Sequence, residues 1–282
     1  MEQAVSKEEV RQLVLEARRE SKRIALVPTM GALHEGHLSL VRAAQQRADV
    51  VVVSIFVNPT QFGPGEDFEA YPRDLDRDLA LLAAEGVDAA FTPTTEAMYA
   101  PGAQVTVDPG PLGDVWEGAS RPGHFRGVCT IVAKLLSLVA PDLAFFGEKD
   151  YQQLVIVRRM VADLDIPVKI VGCPIVRDAD GLALSSRNAY LSPEERRAAT
   201  VLYRALREAE TLVCGGEADA GFVERAMRDT IEAEPLAALD YAALVDPRTL
   251  EPAAAAPGAR AIVAARVGTT RLIDNMAMPS TA

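Results

Sequence analysis

Along the chain, short runs of almost wholly apolar residues alternate with longer stretches in which apolar residues return every three or four positions. The runs at 24–27, 50–57, 88–91 and 143–146 are rich in β-branched and aromatic side chains. Strands this apolar on both faces belong to parallel sheets covered by helices on both sides. Between them the spacing predicts helices at about 37–48, 73–85, 126–139 and 152–163. A Ser6-x-x-Glu9 capping box opens a further helix over 6–21, with Val10, Leu13, Val14 and Ala17 on its apolar stripe. This alternation predicts an α/β chain built on a Rossmann-like, doubly wound parallel sheet.

After an apolar run at 168–176 the pattern changes. Helical stretches at about 193–213 and 218–234 are followed by strand-like runs near 241–245 and 261–273, with EPAAAAPGA as a surface loop. These features predict a smaller C-terminal α+β domain over 176–282, after a Rossmann-like domain over 1–175.

Composition narrows the function classes. With 282 residues the chain can bury a substantial core without a disulfide or metal staple. A formal net charge of −11 argues against nucleic acid as a partner, because phosphate backbones are gripped by clustered Lys and Arg. No run approaches the length of a membrane span, and the start MEQAVSKEEVRQLVLEARRE is amphipathic and polar, so a cytoplasmic protein with no membrane partner is expected. Cys129, Cys173 and Cys214 are far apart and in no ligand spacing, and are expected to be buried small hydrophobes.

The candidate chemistry collects at strand ends. His34-Glu35-Gly36-His37 follows the first long apolar run and leads into an amphipathic helix. A helix amino terminus beyond a parallel strand favours an anion, and Gly31 and Gly36 let backbone approach it, so a phosphate is the natural occupant. A metal site would need a third ligand that no spacing recommends, and a plain turn is the third reading. Asn58 and Gln61 lie in a Pro/Gly-rich loop after the strongest strand. The charged helix start at 71–78 offers Asp74, Asp76 and Asp78, any one of which could hold a magnesium-bound nucleotide through water. Arg121 and His124 sit in a glycine-rich turn, Lys149 and Gln153 follow the strand ending in Phe145-Phe146-Gly147, and Ser185-Ser186-Arg187 lies beyond the run at 168–176. Arginine and lysine in such places suit phosphate or carboxylate.

The set is more specific than its members. His34-x-Gly-His37 with Leu184-Ser-Ser-Arg-Asn188 resembles the nucleotidyltransferase group that includes the class I aminoacyl-tRNA synthetases, the second string standing in place of their lysine-methionine-serine-lysine-serine loop. Within that group PTMGALHEGHLSL, VSIFVNPTQFGPGEDFEAYPRD, RPGHFRGV, FFGEKDYQQ and LSSRNAYLS resemble the pantothenate synthetase family, ligases that join (R)-pantoate to β-alanine.

The resemblance implies an ATP- and pantoate-binding first domain, a C-terminal domain closing over the nucleotide, and a pantoyl-adenylate intermediate with release of pyrophosphate and then AMP. It implies that Met30, Gly31, Ala32, Leu33, His34, Glu35, Gly36 and His37 lie on ATP. Gly147, Glu148, Lys149 and Asp150 are implied there too, with Val176, Leu184, Ser185, Ser186 and Arg187 completing the site. His37 is implied as proton donor, and His34, Lys149, Ser185, Ser186 and Arg187 as its partners on the phosphates. Gln61 and Gln153 are implied to hold pantoate, Gln61 also near β-alanine, with Asn58 beside them and Arg121 on a mobile wall. Mg2+ with ATP and a homodimer are further implications. Leu184 stands where the family usually has methionine, a swap of similar volume that should preserve packing. The alternatives are a cytidylyltransferase-like enzyme, which keeps the nucleotide on its product, and a catalytically silent nucleotide- or RNA-binding module.

Overall fold

Ile24, Ala25, Leu26 and Val27 are completely buried, as are Val52, Val53, Ala89, Ala90 and Phe91, so these segments carry no face that water could accept. They form the middle of one parallel sheet. In the computed structural model, which describes residues 1–279, its strands are β1 (Glu2–Ala4), β2 (Ile24–Thr29), β3 (Val50–Ile55), β4 (Ala89–Phe91), β5 (Leu143–Gly147) and β6 (Lys169–Cys173). Their order is β1-β4-β3-β2-β5-β6, every pairing being parallel. The edge strand β1 escapes a periodicity argument because three residues show no period.

The connecting helices are α1 (Lys7–Arg19), α2 (Glu35–Gln45), α3 (Leu75–Ala84), α4 (Thr95–Met98), α5 (Glu117–Ser120), α6 (His124–Val139) and α7 (Tyr151–Asp163). The expected capping box is present at α1, where Glu9 N–H donates to Ser6 Oγ at 3.2 Å and Ser6 N–H to Glu9 Oε2 at 3.1 Å. Helix α2 starts two residues earlier than its apolar period suggests, because His34 supplies the N-cap. Strand order reverses between β2 and β5, and ligands of such sheets bind beyond the strand ends at that switch.

The chain divides into two compact units, Met1–Glu148 with Ile156–Pro174, and Lys149–Val155 with Ile175–Ala282. The first turn of α7 therefore packs with the second unit, whereas a boundary at 175 leaves it in the first. The second unit contains α8 (Pro193–Ala198), α9 (Val201–Cys214), α10 (Ala220–Glu232) and an antiparallel sheet of β7 (Ala237–Val245), β8 (Arg260–Val267) and β9 (Thr270–Ala277). The run expected near 261–273 is thus two strands, reversed at Gly268, whose φ is +57°. The helical stretch expected at 193–213 is interrupted at Ala199 and Thr200. Leu202, Leu206, Met227, Ile231, Val263 and Val267 share this unit's apolar core, and Ala255 and Ala259 of the alanine-rich loop are buried in it. Cys129 and Cys173 are buried as expected, but Cys214 at the end of α9 is exposed. Among the described residues no helix is long and apolar enough to cross a membrane.

Helix α6 presses directly on the turn Pro59–Gln61, and a glycine permits it. A Cβ on Gly127 would stand 2.1 Å from the Thr60 carbonyl oxygen and 2.8 Å from Gln61 N. Gly127→Ala should therefore force helix and turn apart, with a loss of about 1–3 kcal/mol measured by urea unfolding. An unchanged midpoint would show that the contact yields freely.

Candidate active site

Beyond β2 the chain makes a strained loop. Gly31 and Ala32 take φ values of +80° and +50° in succession, the second in a region that side chains disfavour. Thr29 Oγ1 donates to Ser54 O at 2.8 Å and accepts from Gly31 N at 3.2 Å. Asp78 then closes the loop. Its carboxylate, 1% exposed, accepts Ala32 N–H and Leu33 N–H at 2.8 Å each, and Arg77 Nη1 donates to Leu33 O at 3.1 Å. Burial pushes the Asp78 pKa up, opposed by the Leu33 and Ala32 amides. Asp74 meanwhile caps α3 by accepting Arg77 N–H at 3.1 Å.

The loop delivers His34 to the start of α2, and the spacing of three in HEGH is the spacing of N-cap and N3. Gly36 N–H donates to His34 Nδ1 at 3.1 Å, and His34 N–H points at His37 Nδ1 at 3.4 Å. Nδ1 of each ring therefore accepts, which in a neutral imidazole puts the proton on Nε2. The rings lie 4.2 Å apart at a 41° tilt. Two Nε2–H donors thus stand at a helix amino terminus, where the backbone already favours negative charge.

Beyond β3, Asn58 is completely buried and all its hydrogen-bonding capacity is engaged. Its Oδ1 accepts from Tyr99 Oη at 2.8 Å and from Thr60 Oγ1 at 3.0 Å, while Nδ2 donates to Gly127 O at 3.2 Å and Gln61 Oε1 at 2.9 Å. Because Gly127 O can only accept, Nδ2 is fixed as the donor, and Gln61 must turn its oxygen toward it. Asn58 is therefore a support behind Gln61 and has nothing left with which to meet a substrate. Gln61 is held from the other side as well. His124 Nδ1 lies 2.8 Å from the Gln61 carbonyl oxygen and so donates, which leaves Nε2 to accept from Arg121 Nη1 at 3.1 Å. Arg121 also donates to Gln61 O at 3.3 Å and forms a two-pronged pair with Glu66 at 2.6 and 3.0 Å. This guanidinium is largely buried and its charge is paired with Glu66 and Glu117.

The second unit gathers the remaining candidates. Val176 and Leu184 close a hairpin through Leu184 N–H to Val176 O at 3.0 Å, with Asp178 N–H on Leu182 O at 2.9 Å across the turn. Ser185 caps the following 3₁₀ turn Ser186–Tyr190, accepting Arg187 N–H at 3.3 Å. Arg196 of α8 braces the hairpin through Asp178 at 2.7 Å and Asp180 at 2.8 Å. Lys149 and Gln153 are half-buried at the start of α7.

Within the first unit the structure brings together Met30–His37 as one loop and helix start, and Asn58 with Gln61, Arg121 and His124 as one network. Within the second it brings Val176 against Leu184. Sequence reasoning missed Asp78 as the loop's clamp, Tyr99 and Glu66 as supports, and Asp274 and Asn275 of β9, which bond Arg177 and Lys149. The three carboxylates in the helix start at 71–78 are a signal for the first, but nothing in the sequence says which points inward.

Comparison with known proteins follows the same lines. A family model described as pantoate-beta-alanine ligase matches residues 3–277. A pantothenate synthetase of Rubrobacter xylanophilus is 57% identical over 283 residues, covering 97% of each chain. The crystal structure of pantothenate synthetase from Thermus thermophilus superposes with a TM-score of 0.94 at 50% identity, over 99% of this chain and 100% of that one. A Francisella tularensis pantoate-beta-alanine ligase complexed with beta-gamma ATP and beta-alanine gives a TM-score of 0.82 at 35% identity, over 99% and 98% of the two chains.

The His124 network makes a pH prediction. Burial, then the Arg121 charge, push its pKa down from 6.5 to about 4. The unfolded chain takes up this proton first as pH falls, so the network's stabilisation is whole above about pH 6.5 and is lost on the way to about pH 4. The loss is on the order of 2–3 kcal/mol. His124→Gln should flatten the decline of the thermal midpoint across that window; a slope equal to the parent's would place the titration elsewhere.

Proposed function

The chain belongs to the pantoate-beta-alanine ligase family, and from that membership we infer which of its side chains carry the ligation. The reaction joins pantoate to β-alanine with ATP as the activating substrate. A carboxylate oxygen of pantoate attacks the α-phosphorus of ATP, the bond to the bridging oxygen breaks, and pyrophosphate leaves. The amine of β-alanine then attacks the acyl carbon of the pantoyl-adenylate, the acyl–oxygen bond breaks, AMP leaves and the nitrogen gives up a proton. No covalent bond to the protein is needed.

The observation that carries this reading is the pair of imidazoles at the start of α2. Their Nε2–H groups donate to phosphate oxygens as negative charge accumulates there, and His37 is the proton donor. Preorganised donors of this kind act most strongly where charge develops. The loop Met30–Leu33 and the α2 amino terminus line the nucleotide. Lys149, Ser185, Ser186 and Arg187 add charge and hydroxyl donors for the phosphates, with Gly147, Glu148, Asp150, Val176 and Leu184 beside them. Gln61, its oxygen turned to Asn58, meets pantoate with Nε2, and Gln153 is the second amide on pantoate.

Magnesium fits as an ion carried in by the nucleotide. Among the described residues no three His, Cys, Asp or Glu side chains form a metal-binding group. Asp78 is committed to Ala32 and Leu33, and both histidines of HEGH use Nδ1 for backbone amides. Such an ion would need few ligands from the protein, and when bound with the nucleotide it would supply positive charge against the leaving pyrophosphate. The match across residues 3–277 favours neither a cytidylyltransferase nor a silent nucleotide- or RNA-binding module.

Incubation with pantoate, β-alanine and MgATP should yield AMP, pyrophosphate and pantothenate in equal amounts; ADP, or a product that keeps the nucleotide, contradicts the assignment. His37→Ala should slow adenylate formation in single turnover by about 100- to 1,000-fold. It should lower stability by only about 1 kcal/mol, the worth of a helix-cap contact. Unchanged single-turnover kinetics would remove His37 from the chemistry.

A further inference from the structure

Two neighbouring residues on the last strand, Asp274 and Asn275 of β9, hold two segments that lie far from them in sequence. Asn275 Nδ2 donates to the backbone carbonyl of Lys149 at 2.9 Å. Its Oδ1 accepts from Arg260 Nη1 at 2.6 Å, and the Arg260 guanidinium lies 3.6 Å over the ring of Tyr151, whose hydroxyl donates to Pro247 O at 3.0 Å. The backbone on which the Lys149 side chain stands is thus tied to β7–β9 rather than left as a loop end.

Asp274 does the same for the hairpin. Its carboxylate accepts Arg177 Nη1 at 2.6 Å and Nη2 at 2.9 Å. The same guanidinium donates to Gly181 O at 3.0 Å, across the hairpin turn, and to Asn275 O at 3.2 Å. Arg177 follows Val176, and the hairpin's returning arm runs through Leu184 straight into Ser185, Ser186 and Arg187.

Asp274, Asn275 and Arg260 are all buried. Well-packed apolar residues would stabilise such a place equally well, since desolvation offsets most of what a buried ion pair gains. What apolar residues lack is direction, and these bonds reach two particular backbone segments.

We propose that Asp274 and Asn275 are positioning residues for adenylation, setting Lys149 and the Ser185–Arg187 segment at the separation that one triphosphate requires. They act through the backbone and do not touch the substrate. The proposal rests on the assignment of Lys149 and Ser185–Arg187 to ATP.

Asn275→Asp is the discriminating variant, because it keeps an oxygen for Arg260 and removes the donor to Lys149 O. Single-turnover formation of pantoyl-adenylate should fall by about 10- to 100-fold, the effect of a displacement near 1 Å. KM for ATP should rise, while aminolysis of supplied pantoyl-adenylate by β-alanine stays within about threefold, a difference that general loosening does not produce. Arg260→Gln weakens packing on Tyr151 but spares the Asn275–Lys149 bond, and should lower the thermal midpoint with adenylation nearly intact. If Lys149→Ala impairs adenylation and Asn275→Asp does not, the positioning role is wrong and the site assignment stands. If Lys149→Ala itself leaves adenylation unchanged, the assignment fails and takes the proposal with it. A parallel fall of both half-reactions in Asn275→Asp would also overturn the proposal.

Discussion

The carboxylate of Asp78 is the constraint on which the loop between β2 and α2 rests. It is buried and receives two successive amides of a loop whose Gly31 and Ala32 are both left-handed. A left-handed alanine is unfavourable by about 1–2 kcal/mol, so the bend persists only because charge-assisted bonds over-determine it. The bend in turn delivers His34 to the N-cap of α2. Once His34 caps the helix and His37 occupies N3, the backbone amides decide which ring nitrogens accept and which donate.

The three histidines show how one side chain serves opposite ends. In His34 and His37 the Nδ1 atoms face backbone amides, which leaves the Nε2–H groups as the donors that the proposed function assigns to phosphate. In His124 both nitrogens are used inside the protein, Nδ1–H for the Gln61 carbonyl and Nε2 for Arg121. That ring is a strut under Gln61, and its depressed pKa is the consequence of being enclosed beside a cation. Asn58 supplies the matching strut for the Gln61 side chain. A single amide is thereby held through both its carbonyl and its side-chain oxygen.

The second unit solves a similar problem with different means. Its strands are antiparallel, its core is made largely of alanine, valine and leucine, and its few buried polar groups cluster on β8 and β9. Of these, Asn275 donates to the Lys149 carbonyl, and Asp274 holds Arg177, whose guanidinium donates to the carbonyls of Gly181 and Asn275. The packing of the first turn of α7 with this unit rather than with the parallel sheet follows from the Tyr151, Arg260 and Asn275 contacts.

The sequence by itself determined the alternation of buried strands and helices, the parallel sheet that follows from it, and a change of architecture after residue 176. It also placed HEGH at a helix start, because an apolar run, a Gly-containing loop and an amphipathic stretch occur there in fixed order. Local order of this kind is set by hydrogen-bonding geometry and side-chain period, which neighbouring residues alone decide. The tertiary structure decided which of Asp74, Asp76 and Asp78 turns inward, that Asn58 and Arg121 support Gln61 rather than face solvent, and that β9 anchors Lys149 and the hairpin. These are choices among partners tens to more than a hundred residues apart, and a lone carboxylate or amide carries no local mark of the partner it will meet. Burial makes the choice, since an inward polar group must find its bond in the place where the folded chain has put it.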